Sequence, residues 1–161
     1  MLRLIPIAFL LVAAAVFAGC APATQERTYS IYVTNKLSQK ITVFLTKNGP
    51  PVEDQWLSPA QWAAGPISED NKILNCAVVD PGEMVGIQKA TGHFEGSTEA
   101  VLQIYEATGR IADLAAIELD DPRRVDYVLN PGRNDLIVLP DGDGIRVETA
   151  SSNSAWDATR P

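Results

Sequence analysis

The sequence is poor in the residues that build reactive sites. It has two cysteines, Cys20 and Cys76, and a single histidine, His93. A zinc site recruits several His or Cys ligands, and no such set exists here, so neither a metal nor a cofactor is expected. His93 lies in Ala90-Thr91-Gly92-His93-Phe94-Glu95-Gly96 and reads as a loop residue between glycines. No Gly-x-Ser-x-Gly elbow accompanies it as a nucleophile, and no glycine-rich phosphate loop ending in Lys occurs. The chain therefore reads as non-enzymatic, with no catalytic residue. Basic charge is also scarce: 13 Lys+Arg stand against 20 Asp+Glu, a net charge of −7. Nucleic acid binding needs a basic face, so a nucleic acid partner is excluded. The same balance gives no electrostatic hold on anionic lipid.

Long apolar runs are absent except at the start. Arg3 is the sole charge among the first 25 residues, and Leu4–Phe17 is apolar apart from the break at Pro6. A spanning helix needs about 20 apolar residues. This run is shorter, and Ala21-Pro22-Ala23-Thr24-Gln25 follows it with no positive cluster to stop transfer. One positive charge, a short apolar stretch and small residues before a cut site predict a secretory signal peptide over residues 1–19.

Phe17-Ala18-Gly19-Cys20 resembles the bacterial lipobox, with Phe17 in place of the usual Leu. The resemblance implies that Cys20 is the lipidated first residue of the mature protein. Its thiol takes a diacylglyceryl group and its new amino group is then acylated. Two acyl chains, at about 0.8 kcal/mol per buried CH₂, hold a protein at a membrane where one chain does not. Ala21, rather than Asp, at the second mature position implies the outer membrane in a host with two membranes. The expected location is the cell envelope, with the membrane itself as first partner.

Removing 19 of 161 residues leaves 142, one ordinary domain. Removing Arg3 leaves 12 Lys+Arg against 20 Asp+Glu, a net charge of −8. Once Cys20 is acylated no internal disulfide is possible. Cys76, in Ile73-Leu74-Asn75-Cys76-Ala77-Val78-Val79, reads as a small buried residue of a strand, with a reactive or intermolecular thiol as the alternative.

Residues 20–27 read as the lipidated Cys and a short polar tether, 28–149 as the domain and 150–161 as a loose tail. Tyr29–Thr34 and Ile41–Thr46 alternate with period two and predict an antiparallel hairpin. Asn48-Gly49-Pro50-Pro51 opens a long excursion. Within it Ser58-Pro59 caps one short helix that Gly65-Pro66 stops. Strands resume over Ile73–Val79, Met84–Lys89, Ala100–Ala107, Val125–Leu129, Leu136–Leu139 and Ile145–Glu148. Ile111–Leu119 fits both periods and is assigned as strand. Asp141-Gly142-Asp143-Gly144 begins like a Ca²⁺ loop, but the third acid is missing and the twelfth position is Ser152, so a turn is expected. Short strands with regular Pro-Gly turns predict an all-β fold. The expected form is an antiparallel β-sandwich of immunoglobulin-like or transthyretin-like type with one short helix in a long loop. A small β-barrel is the alternative.

The excursion carries Trp56 and Trp62, and the predicted hairpin puts Tyr32 and Phe44 on its outer face. These four aromatics are the candidate partner-binding residues; the alternative for the tryptophans is a lid over the open end of the core. The expected function is a membrane-anchored scaffold or binding module for an envelope protein. A glycan- or peptidoglycan-binding module that stacks sugars on Trp56 or Trp62 is the second reading. In anchor, size and strand richness the chain also resembles the outer-membrane lipoprotein of the type VI secretion apparatus, which implies a place in a secretion assembly.

Overall fold

The structure, a computed structural model, describes residues 23–65 and 75–150. The expected signal peptide, Cys20, the first two residues of the expected Ile73–Val79 strand and the tail beyond Ala150 lie outside them. Among the described residues there are eight strands and two short helices. The strands are β1 (Thr24–Asn35), β2 (Ile41–Lys47), β3 (Cys76–Val79), β4 (Met84–Glu95), β5 (Ala100–Tyr105), β6 (Arg124–Val128), β7 (Gly132–Asp141) and β8 (Gly144–Thr149). The helices are α1 (Pro59–Ala64) and α2 (Ile111–Ala115). The strands form two four-stranded sheets, ordered β4-β1-β7-β8 and β3-β2-β5-β6. The fold is an all-β sandwich, not a closed barrel. All strand pairs are antiparallel except β1 with β7, which run parallel. No helix among the described residues is long and apolar enough to cross a membrane.

The inner faces follow from the period-two pattern. Tyr29, Ile31 and Val33 of β1, Ile41, Val43 and Leu45 of β2, Leu102 and Ile104 of β5, and Leu136 and Val138 of β7 are all buried in one cluster between the sheets. The central strands of the second sheet are also buried on their outer face, at Thr42, Phe44, Thr46, Val101, Gln103 and Tyr105. There Phe44 and Tyr105 pack with Trp62 of α1, Leu114 of α2 and Ile117 in a second apolar cluster.

Helix α1 forms where its caps predict. Ser58 Oγ accepts from the Gln61 amide at 3.3 Å, and Gln61 Oε1 accepts from the Ser58 amide at 2.8 Å. Pro59 fills the first turn, where its missing N–H costs nothing, and Gly65 ends the helix. The Asp141–Gly144 segment is a two-residue turn between paired β7 and β8, with Gly142 at φ +60°, a conformation glycine adopts without a side-chain clash.

Four expectations are corrected. β1 and β2 do not form a hairpin; they belong to different sheets, and both edges of β1 are taken, by β4 and β7. Buried Asn35 turns the corner: its side-chain amide donates to the carbonyls of Gln39 at 2.8 Å and Val79 at 3.0 Å, while Oδ1 accepts from the Leu37 amide at 2.9 Å. Leu37 then drops into the core between the sheets. The segment from Ile111 is helix α2, not a strand, because the helical spacing Ile111, Leu114 and Ile117 lays one apolar edge on Phe44 and Tyr105. At its start the Arg110 amide and guanidinium both donate to the Asp113 carboxylate. Gly92 to Glu95 is strand, not loop, and only Gly96 lies in a turn: β4 continues to Glu95 because β1 begins early. Thr24–Thr28 pairs with Thr91–Glu95, so the last four residues of the expected tether belong to the sheet.

Candidate functional site

The sandwich has two ends. The near end holds the start of β1 at Thr24, the end of β4 at Glu95, and the junction of Lys47 with Ala100. The far end holds Asn35, the Asp80–Glu83 turn and the β7–β8 turn.

At the near end the excursion folds back on the core. A turn of 3-10 helix at Asp54–Trp56 places Trp56 edge-on to Tyr29, with ring centroids 5.7 Å apart, and to Phe94 at 5.3 Å. Its indole N–H donates to the Thr91 carbonyl at 3.3 Å. Gly92 lies so close that a Cβ there would sit 2.5 Å from Trp56 Nε1. Lys47 follows Ile41, Val43 and Leu45 in the inward register of β2, so its stem enters the same cluster. Its ammonium lies 5.6 Å from the Trp56 ring centre and 5.0 Å from that of Phe94, with the side chain only 2% exposed. Each ring face attracts the cation.

Glu53 closes this cage. One carboxylate oxygen pairs with Lys47 and accepts from the His93 amide at 3.1 Å. The other bonds His93 Nδ1 at 2.9 Å, and Lys47 also donates to the His93 carbonyl at 2.8 Å. His93 Nε2 stands 3.8 Å from Glu26 Oε2. Burial alone would raise the Glu53 pKa, but the hydrogen bonds from Lys47 and His93 outweigh it and hold the carboxyl below its usual value. The chemistry of this cluster is that of a latch: β2, β4 and the excursion are joined through one carboxylate, and β1 approaches through Glu26.

Beside the cage, on the outer face of the second sheet, lies an open groove of about 570 Å³ lined by Thr46, Lys47, Asn48, Gly49, Pro50, Val52, Ser58, Gln61 and Gln103. Its hydroxyls and amides are oriented by neighbours. Thr46 Oγ1 donates to the Trp56 carbonyl at 2.9 Å, and Asn48 Oδ1 accepts from the Glu99 amide at 2.7 Å. Gln103 donates to Asp126 at 3.1 Å and accepts from the Tyr105 hydroxyl at 3.1 Å. The lining thus mixes these polar groups with the apolar surface of Gly49, Pro50 and Val52.

The four candidate aromatics are not brought together. Trp56 is in the main core, 2% exposed, and Trp62 and Phe44 are in the second cluster, 7% and 1% exposed. None of these three offers a free face, which corrects their assignment as partner-binding residues. The physical reason is area: large rings beside an uncovered core gain more by closing it. Trp56 thereby forms the lid of the near end. Phe44 does lie on the outer face of its strand, but α1 and α2 cover that face. Tyr32 alone is half-buried, on the outer face of the other sheet, with the Arg133 guanidinium 4.5 Å from its ring centre and Arg133 paired to Asp135 at 2.7 Å.

Lys47 and Glu53 were not singled out from the sequence. The signal was present, because a lysine continues the inward register of β2. Among the described residues no group of three His, Cys, Asp or Glu is placed to hold a metal ion. Cys76 is half-buried against the second cluster, and burial pushes its thiol up to about 11 from 9.0. Thiolate is the reactive form, and a shift of two units implies about 100-fold less of it at neutral pH. Maleimide should therefore label Cys76 in the native protein on the order of 100-fold more slowly than in urea; equal rates would contradict the burial.

No protein-family model and no curated protein matches this chain in sequence.

Proposed function

We propose that this chain is an envelope lipoprotein, acylated at Cys20, that holds a β-sandwich at a membrane surface as a non-catalytic scaffold or binding module for a protein partner. The observation that carries this reading is the distance between anchor and fold. Only Ala21, Pro22 and Ala23 separate Cys20 from the first residue of β1. A segment this short holds the domain at the bilayer instead of letting it range through the envelope. The open groove beside the cage, on its Ser58, Gln61 and Gln103 side, is the surface best suited to a partner segment. The glycan reading loses its stacking platform, since the Trp56 and Trp62 rings are enclosed.

Replacing Cys20 with Ala tests the anchor. The variant is expected to stay uncleaved, to lack acyl mass by intact mass spectrometry and to leave the membrane-lipoprotein fraction. Unchanged processing and fractionation would sink the lipoprotein reading. Crosslinking in intact cells from positions around Gln61 then reports the partner.

A further inference from the structure

We propose that the near end of the sandwich is a membrane-contacting surface, with Pro50 and Val52 resting on zwitterionic lipid headgroups and the far end facing away; this rests on acylation at Cys20.

The argument starts from chain length. Four peptide steps join Cys20 to Thr24, and an extended chain spans about 3.5 Å per residue, so Thr24 lies within about 14 Å of the lipid attachment point. The headgroup layer takes up roughly 5–8 Å of that distance. The domain thus has little room between itself and the bilayer. β1 runs the full depth of the sandwich from Thr24 to Asn35, so the tether pulls on one end only.

Several other segments share that end. Thr24 Oγ1 donates to Glu95 at 3.3 Å, the Glu95 amide donates to the Pro50 carbonyl at 3.4 Å, and the Thr98 amide donates to the Glu95 carbonyl at 2.9 Å. Arg27 reaches the Thr98 carbonyl at 3.4 Å. The Asn48–Val52 turn is therefore fixed beside the start of β1. Its tip bears no charge, and Val52 is 70% exposed, the most exposed large apolar side chain among the described residues. Pro50 is exposed beside it.

The surrounding charge selects the lipid. Glu26, Asp54 and Glu99 are exposed around the tip and outnumber the half-buried Arg27, which lies over the Phe94 ring, while the Lys47 ammonium is enclosed. Anionic headgroups would be repelled; zwitterionic ones accept an uncharged tip. The contact need not bind alone, because a short tether supplies a high effective concentration. Its consequence is orientation: the Asp80–Glu83 and Asp141–Gly144 turns at the far end are held away from the bilayer.

The test uses the full acylated chain in phosphatidylcholine vesicles containing headgroup-spin-labelled lipid. A fluorophore is placed at V52C or, at the far end, at D143C, in a Cys76→Ala background. If that background does not fold, Cys76 is kept and the exposed thiol is labelled briefly. Quenching at position 52 is expected to exceed that at 143 by about threefold or more, and to fall when anionic lipid replaces part of the phosphatidylcholine. Equal quenching at the two ends, or stronger quenching at 143, overturns the orientation, and a rise with anionic lipid overturns the choice of headgroup. Intact mass is read on the same sample. Missing acyl chains would overturn the lipoprotein reading itself, whereas acyl chains with equal quenching overturn only the orientation.

Discussion

Trp56→Ala is expected to lower the free energy of unfolding by about 3–5 kcal/mol, the usual cost of removing a large enclosed aromatic. Trp56 is 2% exposed and meets Tyr29 and Phe94 edge-on, so truncation leaves a cavity at the mouth of the core and loses two aromatic contacts. The Thr91 carbonyl also loses its indole donor. Backbone on both sides limits collapse into the space: β4 passes at Gly92, and the Trp56 carbonyl is held by Thr46. Small domains have about 5–15 kcal/mol of total stability, so this one change removes a large share. Urea unfolding with an unchanged m-value is the measurement. A loss under about 1 kcal/mol would mean that the excursion does not close the core. The same experiment on Tyr32→Ala should show a much smaller loss, since Tyr32 is half-buried on an outer face.

The second large effect concerns Lys47. Lys47→Ala should cost about 2–4 kcal/mol, because it strands the Glu53 carboxylate and empties the aromatic cage. The lower part of that range reflects the 23% exposure of the Glu53 side chain, which lets water reach the orphaned charge. Lys47→Met keeps the stem and should recover part of the loss. With Glu53→Gln added it should recover more, giving a coupling energy in a double-mutant cycle. Additive single losses would show that the pair does not act as a unit.

Acid should act through the same carboxylate. Its folded pKa is depressed, so its stabilising contribution is present above the usual value of 4.5 and is lost as pH falls through the lower folded value. Glu53→Gln should therefore be less stable than wild type near pH 7, and the gap should narrow as pH falls below 4.5 through the lowered folded value. A gap that stays constant through that fall would remove Glu53 from the latch.

Much of the fold could be read locally. Alternation of apolar and polar residues marked β1 and β2 and told which side chains face inward, because successive strand residues point to opposite faces. Ser58, Pro59, Gln61 and Gly65 are sufficient to start and stop α1, since capping is settled within one turn. Asp141-Gly142-Asp143-Gly144 carries its own turn. The candidate site was less legible. Trp56 and Trp62 look alike in sequence, yet one closes the core between the sheets and the other, on α1, packs against Phe44, Tyr105 and α2 on the outer face of the second sheet. Nothing within a few residues of either encodes that difference.

By itself the sequence determined the strand-rich class, the one helix with strong caps, the acidic surface and the lipobox-like Cys20 that motivates a membrane anchor. Tertiary structure decided which strands pair, that β1 begins at Thr24, that the segment from Ile111 is a helix, and that Lys47 is enclosed. The physical reason is range. Caps, turns and alternation depend on neighbours a few residues away. Strand order depends on which distant strands share an edge, as β1 does with β4 and β7. Likewise Lys47 looks like an ordinary charged strand end until Trp56, Phe94 and Glu53 arrive from other parts of the chain and make an enclosed ammonium stable.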